Sequence, residues 1–381
     1  MAQLILHIGD PKTGSSSIQQ VLFRRKVECL TRSYDYPARL SAARVAKTLH
    51  GKGRFTAKST EFSDLAQWAT ASGADVAIVS AEQFSMVNAA TVHDSFQEYL
   101  PEFASSMRVI AYVRPHVSRF ISAYTQRTKV GQLSTDLESF LDAMIKKRSF
   151  LFSDRFQAWR GFFGDRFILR PMSRDDLYQG DVVADFLNLA LDNAPFRILQ
   201  ATEANISLPL ESLAGLRFVH KILRRNDVSP GTLHWLGSRI NTLVTTKAQG
   251  KGTKVRISRA MYDRLRDHCL LDAETLDREF FSRPIMVSAL ERAAEDTTSE
   301  PQLADTYHFF EPGVIRTLRK YATILAKLLA AFPGVWKEQF LRDFGQTDKQ
   351  GQDDFPPAAE IAHVQEVEEV LGKIVLLIAP A

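Results

Sequence analysis

The segment Leu4-Ile5-Leu6-His7-Ile8-Gly9-Asp10-Pro11-Lys12-Thr13-Gly14-Ser15-Ser16-Ser17-Ile18 decides how the rest of the chain is read. A short apolar run ended by glycine has the length and composition of a buried strand. The Gly/Ser loop after it, and the helical spacing that opens at Ile18, predict that this strand passes directly into a helix. Backbone N–H groups at such a junction, together with the helix N-terminus, form an anion site. Gly9 and Gly14 permit backbone conformations that a Cβ obstructs. Ser15, Ser16 and Ser17 add hydroxyl donors and suit a helix start.

Outward from this junction, residues 75–80, 108–113 and 166–170 are three more candidates for buried strands. Helical patterns lie between them, at 61–72, 92–100, 117–129 and 137–147. Strands alternating with helices predict an α/β fold, a P-loop-like parallel sheet flanked by helices. Ligands of such sheets bind beyond the carboxyl ends of the strands. Past residue 199 the strand signal fades. Helices are expected at 208–225 and 259–281, separated by a Gly/Lys-rich stretch at 247–254. A polar linker at 295–305 precedes a basic amphipathic helix at 312–332 and a final helix at 356–377. The expected division is a domain over 1–285 and a helical C-terminal extension over 286–381.

Composition excludes several classes. The chain has 381 residues, 45% hydrophobic and 24% charged, with a net charge of +4 and no Lys/Arg run of the kind that makes a nucleic-acid arm. Cys29 and Cys269 are too few and too far apart for a disulfide framework or a metal site. The first residues lack the features of a signal peptide, and no apolar run reaches the ~20 residues a membrane span requires. A soluble, cytoplasmic protein with no metal is the expectation.

The loop departs from the nucleoside-triphosphate pattern G-x-x-x-x-G-K-[ST]. Gly9 and Gly14 keep the spacing, but Ser15 stands where that pattern has lysine, and Lys12 lies inside the loop. Residues 80–82 read Ser-Ala-Glu, without the aspartate that usually holds magnesium. After the strand at 108–113 comes Arg114-Pro115-His116-Val117-Ser118-Arg119-Phe120-Ile121-Ser122-Ala123-Tyr124. Arg114 at a strand end and Ser122 in the next helix combine a guanidinium fork with a hydroxyl, a fitting pair for a phosphate.

On these two segments the chain resembles the sulfotransferases that use 3′-phosphoadenosine 5′-phosphosulfate (PAPS). Pro11-Lys12-Thr13-Gly14-Ser15-Ser16 matches that family's 5′-phosphosulfate loop, P-K-[ST]-G-[ST]-[ST]. Arg114 and Ser122, with Tyr124 close by, match its 3′-phosphate motif. Gly250-Lys251-Gly252-Thr253-Lys254-Val255-Arg256 looks like its late basic loop, with the phosphate-touching member among Lys251, Lys254 and Arg256 left open. The resemblance covers about residues 1–285. It implies transfer of a sulfuryl group from PAPS to an acceptor hydroxyl or amine, with Lys12 stabilising the leaving oxygen. Similarity of residues 250–281 to glycan-modifying members implies a saccharide or glycolipid acceptor. Glu82, after the strand at 75–80, is the first choice for the base. A carboxylate at a helix N-terminus explains the same residue equally well. His7 is expected in the core, and His50, His93 and His116 at the surface or in supporting positions. Gln126 and Lys129 follow Ser122 along one helix face.

Two other readings compete. A P-loop kinase or NTPase needs the lysine and magnesium ligand that are missing. A non-catalytic binding module fits poorly with an intact Lys12, Arg114 and Ser122. In the C-terminal extension, Val314, Leu318, Tyr321, Leu325 and Leu328 form one apolar stripe, and Ile361, Val364, Val367, Leu371, Ile374 and Leu377 another. The favoured expectation is that these stripes pack internally. The alternative is that the basic helix, carrying Arg316, Arg319, Lys320 and Lys327, lies on an anionic membrane or forms a subunit contact.

Overall fold

The computed structural model describes residues 2–50, 55–199, 208–248, 251–343 and 358–380. The chain forms an α/β structure around a five-stranded parallel sheet. Its strands are β1 (Gln3–His7), β3 (Tyr34–Asp35), β4 (Val76–Ser80), β5 (Arg108–Val113) and β6 (Phe167–Pro171), in the spatial order β3-β4-β1-β5-β6. A separate antiparallel pair joins β2 (Val27–Cys29) to β7 (Phe196–Ile198). Strands β1, β4 and β5 are almost wholly buried along their length. Helices cover both faces of such a sheet, which is why these strands read as unbroken apolar runs.

The chain divides into two compact units that interleave along the sequence. The first comprises 1–119, 150–204 and 266–293, and the second 120–149, 205–265 and 294–381. The boundary expected near residue 285 falls inside the last stretch of the first unit.

Within the first unit, β1 is bonded to β4 on one side and β5 on the other. The register puts His7 opposite Ser80, and His7 Nδ1 lies 2.8 Å from Ser80 Oγ. His7 is fully buried, as expected of a core residue. Burial pushes its imidazole down to about 3, so it is neutral at physiological pH. Asp181 caps the helix Val182–Ala190, its carboxylate accepting from the N–H groups of Val183 and Ala184. Val182 then closes over the loop after β1: a Cβ on Gly14 would stand 2.6 Å from Val182 Cγ1.

The second unit is helical. Helix Pro312–Ala331 buries Ile315, Leu318, Ala322, Leu325 and Ala326, and packs on helices Leu210–Arg225 and Ala358–Ile378. The final helix buries Val367, Leu371 and Ile374 and ends against Leu210–Arg225, where Ser212 Oγ donates to the Ile378 carbonyl at 2.8 Å. Leu318 and Leu325 of the first stripe and Val367, Leu371 and Ile374 of the second are buried within the unit, Ile361 is exposed, and Arg316, Arg319, Lys320 and Lys327 are left on the exposed side of their helix. Among the described residues no helix is long and apolar enough to cross a membrane.

Gly237, in helix Pro230–Ala248, is fixed by the segment that packs on it. A Cβ there would stand 1.9 Å from the Lys129 carbonyl oxygen, which already accepts from His220 Nε2 at 3.0 Å. Gly237→Ala forces one of the two backbones to move. The expected cost is about 1–3 kcal/mol, read as a lowered midpoint in thermal or urea denaturation.

Candidate active site

Three neighbouring strands, β4, β1 and β5, deliver one segment each to the carboxyl edge of the sheet. From β1 comes the loop 8–14, from β4 the short 3₁₀ helix Glu82–Met86, and from β5 the turn at Arg114-Pro115. Sequence spacing predicts this convergence, because the carboxyl ends of parallel strands share an edge.

The loop has an unusual backbone. Gly9, Lys12 and Gly14 all have positive φ, at 30°, 72° and 83°. For Lys12 this left-handed conformation is disfavoured, and such a residue persists only where its surroundings hold it. Asp10 supplies the hold. It is 2% exposed, and its carboxylate accepts from Arg119 Nε at 3.1 Å and Arg155 Nη2 at 2.7 Å. The Asp10 carbonyl accepts from the hydroxyl and the N–H of Thr13, which closes the loop on itself. Arg114 reaches in from β5 and donates from Nη1 to the Lys12 carbonyl at 3.2 Å. The helix Ser15–Phe23 then starts on Gly14 without a side-chain cap, leaving its first N–H groups without intrahelical acceptors.

Charge is concentrated here. Burial lowers the pKa of Lys12, and Arg114 and Arg119 add to that, while Glu82 opposes it. Burial raises Glu82, with Asp10 adding and Lys12 the main opposing group. Lys12 and Glu82 are thus close enough to couple. The buried Ser15 side chain also lowers Glu82. Arg114 is lowered by burial and by Arg119. Lys12, Arg114, Arg119 and Arg155 stand against Asp10 and Glu82, four cations against two carboxylates. Such a site favours an anion.

The expected site residues divide as follows. Pro11, Lys12, Thr13, Gly14, Ser15, Ser16, Ser17, Glu82 and Arg114 belong to the first unit, on the three segments above. Ser122 belongs to the second unit, as do Gln126, Lys129, Lys251, Gly252 and Lys254. Within the first unit the hydroxyl on Arg114 is that of Ser118, accepting from Nε at 3.1 Å. Ser118 is one turn into the helix that follows, a residue the sequence reading passed over. Gly250 lies outside the described residues. Lys254 and Arg256 share the Asp296 carboxylate, the latter at 2.7 Å, so both are spent on an ion pair. Of the two settings expected for His116, the surface is not the one found: it is fully buried, with Nε2 2.8 Å from Asp272 Oδ2. His50 and His93 are at or near the surface, one beside the Gln83 carbonyl and the other beside Asp94.

No protein-family model, curated protein or solved structure matches the chain. Function rests on the geometry and on the residues themselves. Asp10, Arg119 and Arg155 were not singled out in the sequence, and only the pattern Arg114-x-x-x-x-Arg119 hinted at a second guanidinium on the same turn.

Glu82 allows a direct test. A carboxyl whose folded pKa is raised stabilises the protein fully only below its unfolded pKa, and that contribution is lost as pH rises through the folded value. Above the folded value, ionised Glu82 is therefore a net cost. Glu82→Gln is expected to melt no lower than the parent at pH 7, with any gain shrinking as pH falls through the raised folded value toward the ordinary glutamate value. Thermal melts across pH 4–8 measure it.

Proposed function

We propose that the protein is a PAPS-dependent sulfotransferase with a P-loop-like nucleotide fold, acting on a hydroxyl or amine of a saccharide acceptor. The observation that carries this reading is the meeting of Lys12, Glu82 and Arg114 at the ends of three adjacent strands. The likeness in residues 11–16 and 114–122 bears on Lys12 and Arg114, and Glu82 joins them through its place after β4.

The reaction is an in-line displacement at sulfur. The acceptor oxygen or nitrogen forms a bond to sulfur as the bond to the bridging phosphate oxygen breaks, and adenosine 3′,5′-bisphosphate departs. Negative charge grows on that bridging oxygen. Lys12, held in place by its loop and by Arg114, supplies a fixed positive charge there. The N–H groups at the start of helix Ser15–Phe23 receive the 5′-phosphate. The acceptor proton passes to Glu82. Its raised pKa makes it a stronger base than an ordinary glutamate. Arg114 takes the 3′-phosphate, with Ser122 the partner that the family likeness implies. Ser15 in place of the triphosphate-loop lysine disfavours an ATP-dependent reading.

Adenosine 3′,5′-bisphosphate is expected to raise the thermal midpoint. Saturation at a hundredfold over Kd corresponds to about 2.7 kcal/mol. ADP, without the 3′-phosphate, is expected to do far less, and equal shifts from both would overturn the role of Arg114.

Transfer assays with labelled PAPS separate the roles further. Lys12→Ala is expected to lower kcat by about 10²–10³ while keeping most bisphosphate affinity. Arg114→Ala is expected to raise the KM for PAPS instead. Near-normal turnover by Lys12→Ala at saturating PAPS would remove the lysine from the mechanism.

A further inference from the structure

Asp272 lies far in sequence from every segment of the site, on helix Arg259–Phe280. It is 6% exposed and accepts hydrogen bonds from four donors. His116 Nε2 lies at 2.8 Å, Phe152 N at 2.9 Å, Ser153 N at 2.8 Å and Ser153 Oγ at 2.7 Å. Burial works against its ionisation, yet these donors hold its pKa below the ordinary aspartate value. An ionised carboxylate only accepts, so the His116 proton toward it sits on Nε2.

Each of these donors opens a helix that carries an arginine of the site. His116 begins the helix His116–Lys129, and Arg119 follows three residues later. Ser153 begins the helix Ser153–Phe163, and Arg155 follows two residues later. Both arginines converge on the Asp10 carboxylate from opposite oxygens. Asp10 sits two residues before Lys12, whose positive φ needs external support. Helix Ser153–Phe163 has no side-chain cap of its own, and Asp272 provides one from another part of the chain.

We infer that Asp272 is a positioning residue for the loop at 9–17, acting through the two helix starts at His116 and Ser153 and the two arginines they aim at Asp10. It touches no reacting atom. Its effect is to fix where Arg119 and Arg155 originate, and so how firmly Asp10 holds the backbone on either side of Lys12. The ligand assignment rests on the sulfotransferase reading; the mechanical part does not.

Asp277 is a control in which the His116 charge is felt but the hydrogen bonds go to a different helix. It lies on the same helix, is buried, and caps helix Ile285–Arg292 by accepting from Met286 N at 2.7 Å and Val287 N at 2.9 Å. That helix carries no site residue. The test compares Asp272→Asn, His116→Gln and Asp277→Asn in the full-length protein. Hydrogen–deuterium exchange of the peptide covering 9–18 is measured alongside adenosine 3′,5′-bisphosphate affinity. Asp272→Asn and His116→Gln are expected to speed exchange in that peptide and to weaken bisphosphate binding by about tenfold to a hundredfold. Asp277→Asn, though also destabilised, is expected to change neither. Unchanged exchange in both Asp272→Asn and His116→Gln overturns the inference, as does equal acceleration by Asp277→Asn. If Asp272→Asn fails to fold, His116→Gln and Ser153→Ala, which each remove one contact, decide in the same way. If the parent protein does not bind the bisphosphate, the sulfotransferase reading fails, and the exchange comparison still decides the positioning role.

Discussion

The pairing of β1 on both of its edges is the constraint from which the site follows. A strand bonded to β4 and β5 at once cannot shift without breaking the hydrogen-bond ladders on both of its edges. Three chain segments are thereby brought to a common edge in fixed order, with the loop after β1 in the middle. The carboxyl group of Glu82 comes from one side and the guanidinium of Arg114 from the other. Each of these residues owes its location to a short apolar strand that has no chemistry of its own.

Electrostatics then sets the cost of the arrangement. Four cations crowded together repel one another, and burial deprives them of water. The buried Asp10 offsets part of this, since two of the guanidinium groups are tied to it. Lys12 and Glu82 each moderate the other's shift. What is left over is a positive field that a doubly charged ligand would neutralise, so binding and stability are linked in this region. The left-handed backbone of Lys12 belongs to the same account: an unfavourable conformation is kept because the surrounding contacts outweigh it.

Much of this was legible in the sequence. Strands near 76–80, 108–113 and 167–171 follow their short apolar runs, and helices near 116–129, 137–146, 210–225, 312–331 and 358–378 follow their apolar periodicity. Strand β3 has two residues, too few to show any alternation. Helix Ser153–Phe163 places Phe156, Trp159 and Phe163 inside, but Arg155 and Arg160 interrupt its pattern, and its cap comes from Asp272. Helix Pro230–Ala248 contains Gly231 and Gly237, which read as breakers; Gly237 is there because a backbone passes against it. In the site, residue types next to strand ends were readable. Pairings such as Asp10 with Arg155, or His116 with Asp272, were not. They join residues more than a hundred positions apart, and a lone charged residue in a sequence reads as solvent-facing.

The interleaving of the two units bears on how the protein is made. A ribosome releases the chain from its N-terminus, so the strands of the sheet emerge early. The aspartate that braces the helix starts at His116 and Ser153 emerges 156 residues after His116. Until then Asp10, Arg119 and Arg155 have partners but no fixed frame, and buried-to-be strands wait with exposed apolar surface. Long-range closure of this kind slows folding and lengthens exposure to aggregation. In the nascent chain the strands of the sheet are thus complete before the residue that braces the loop after β1 has been made.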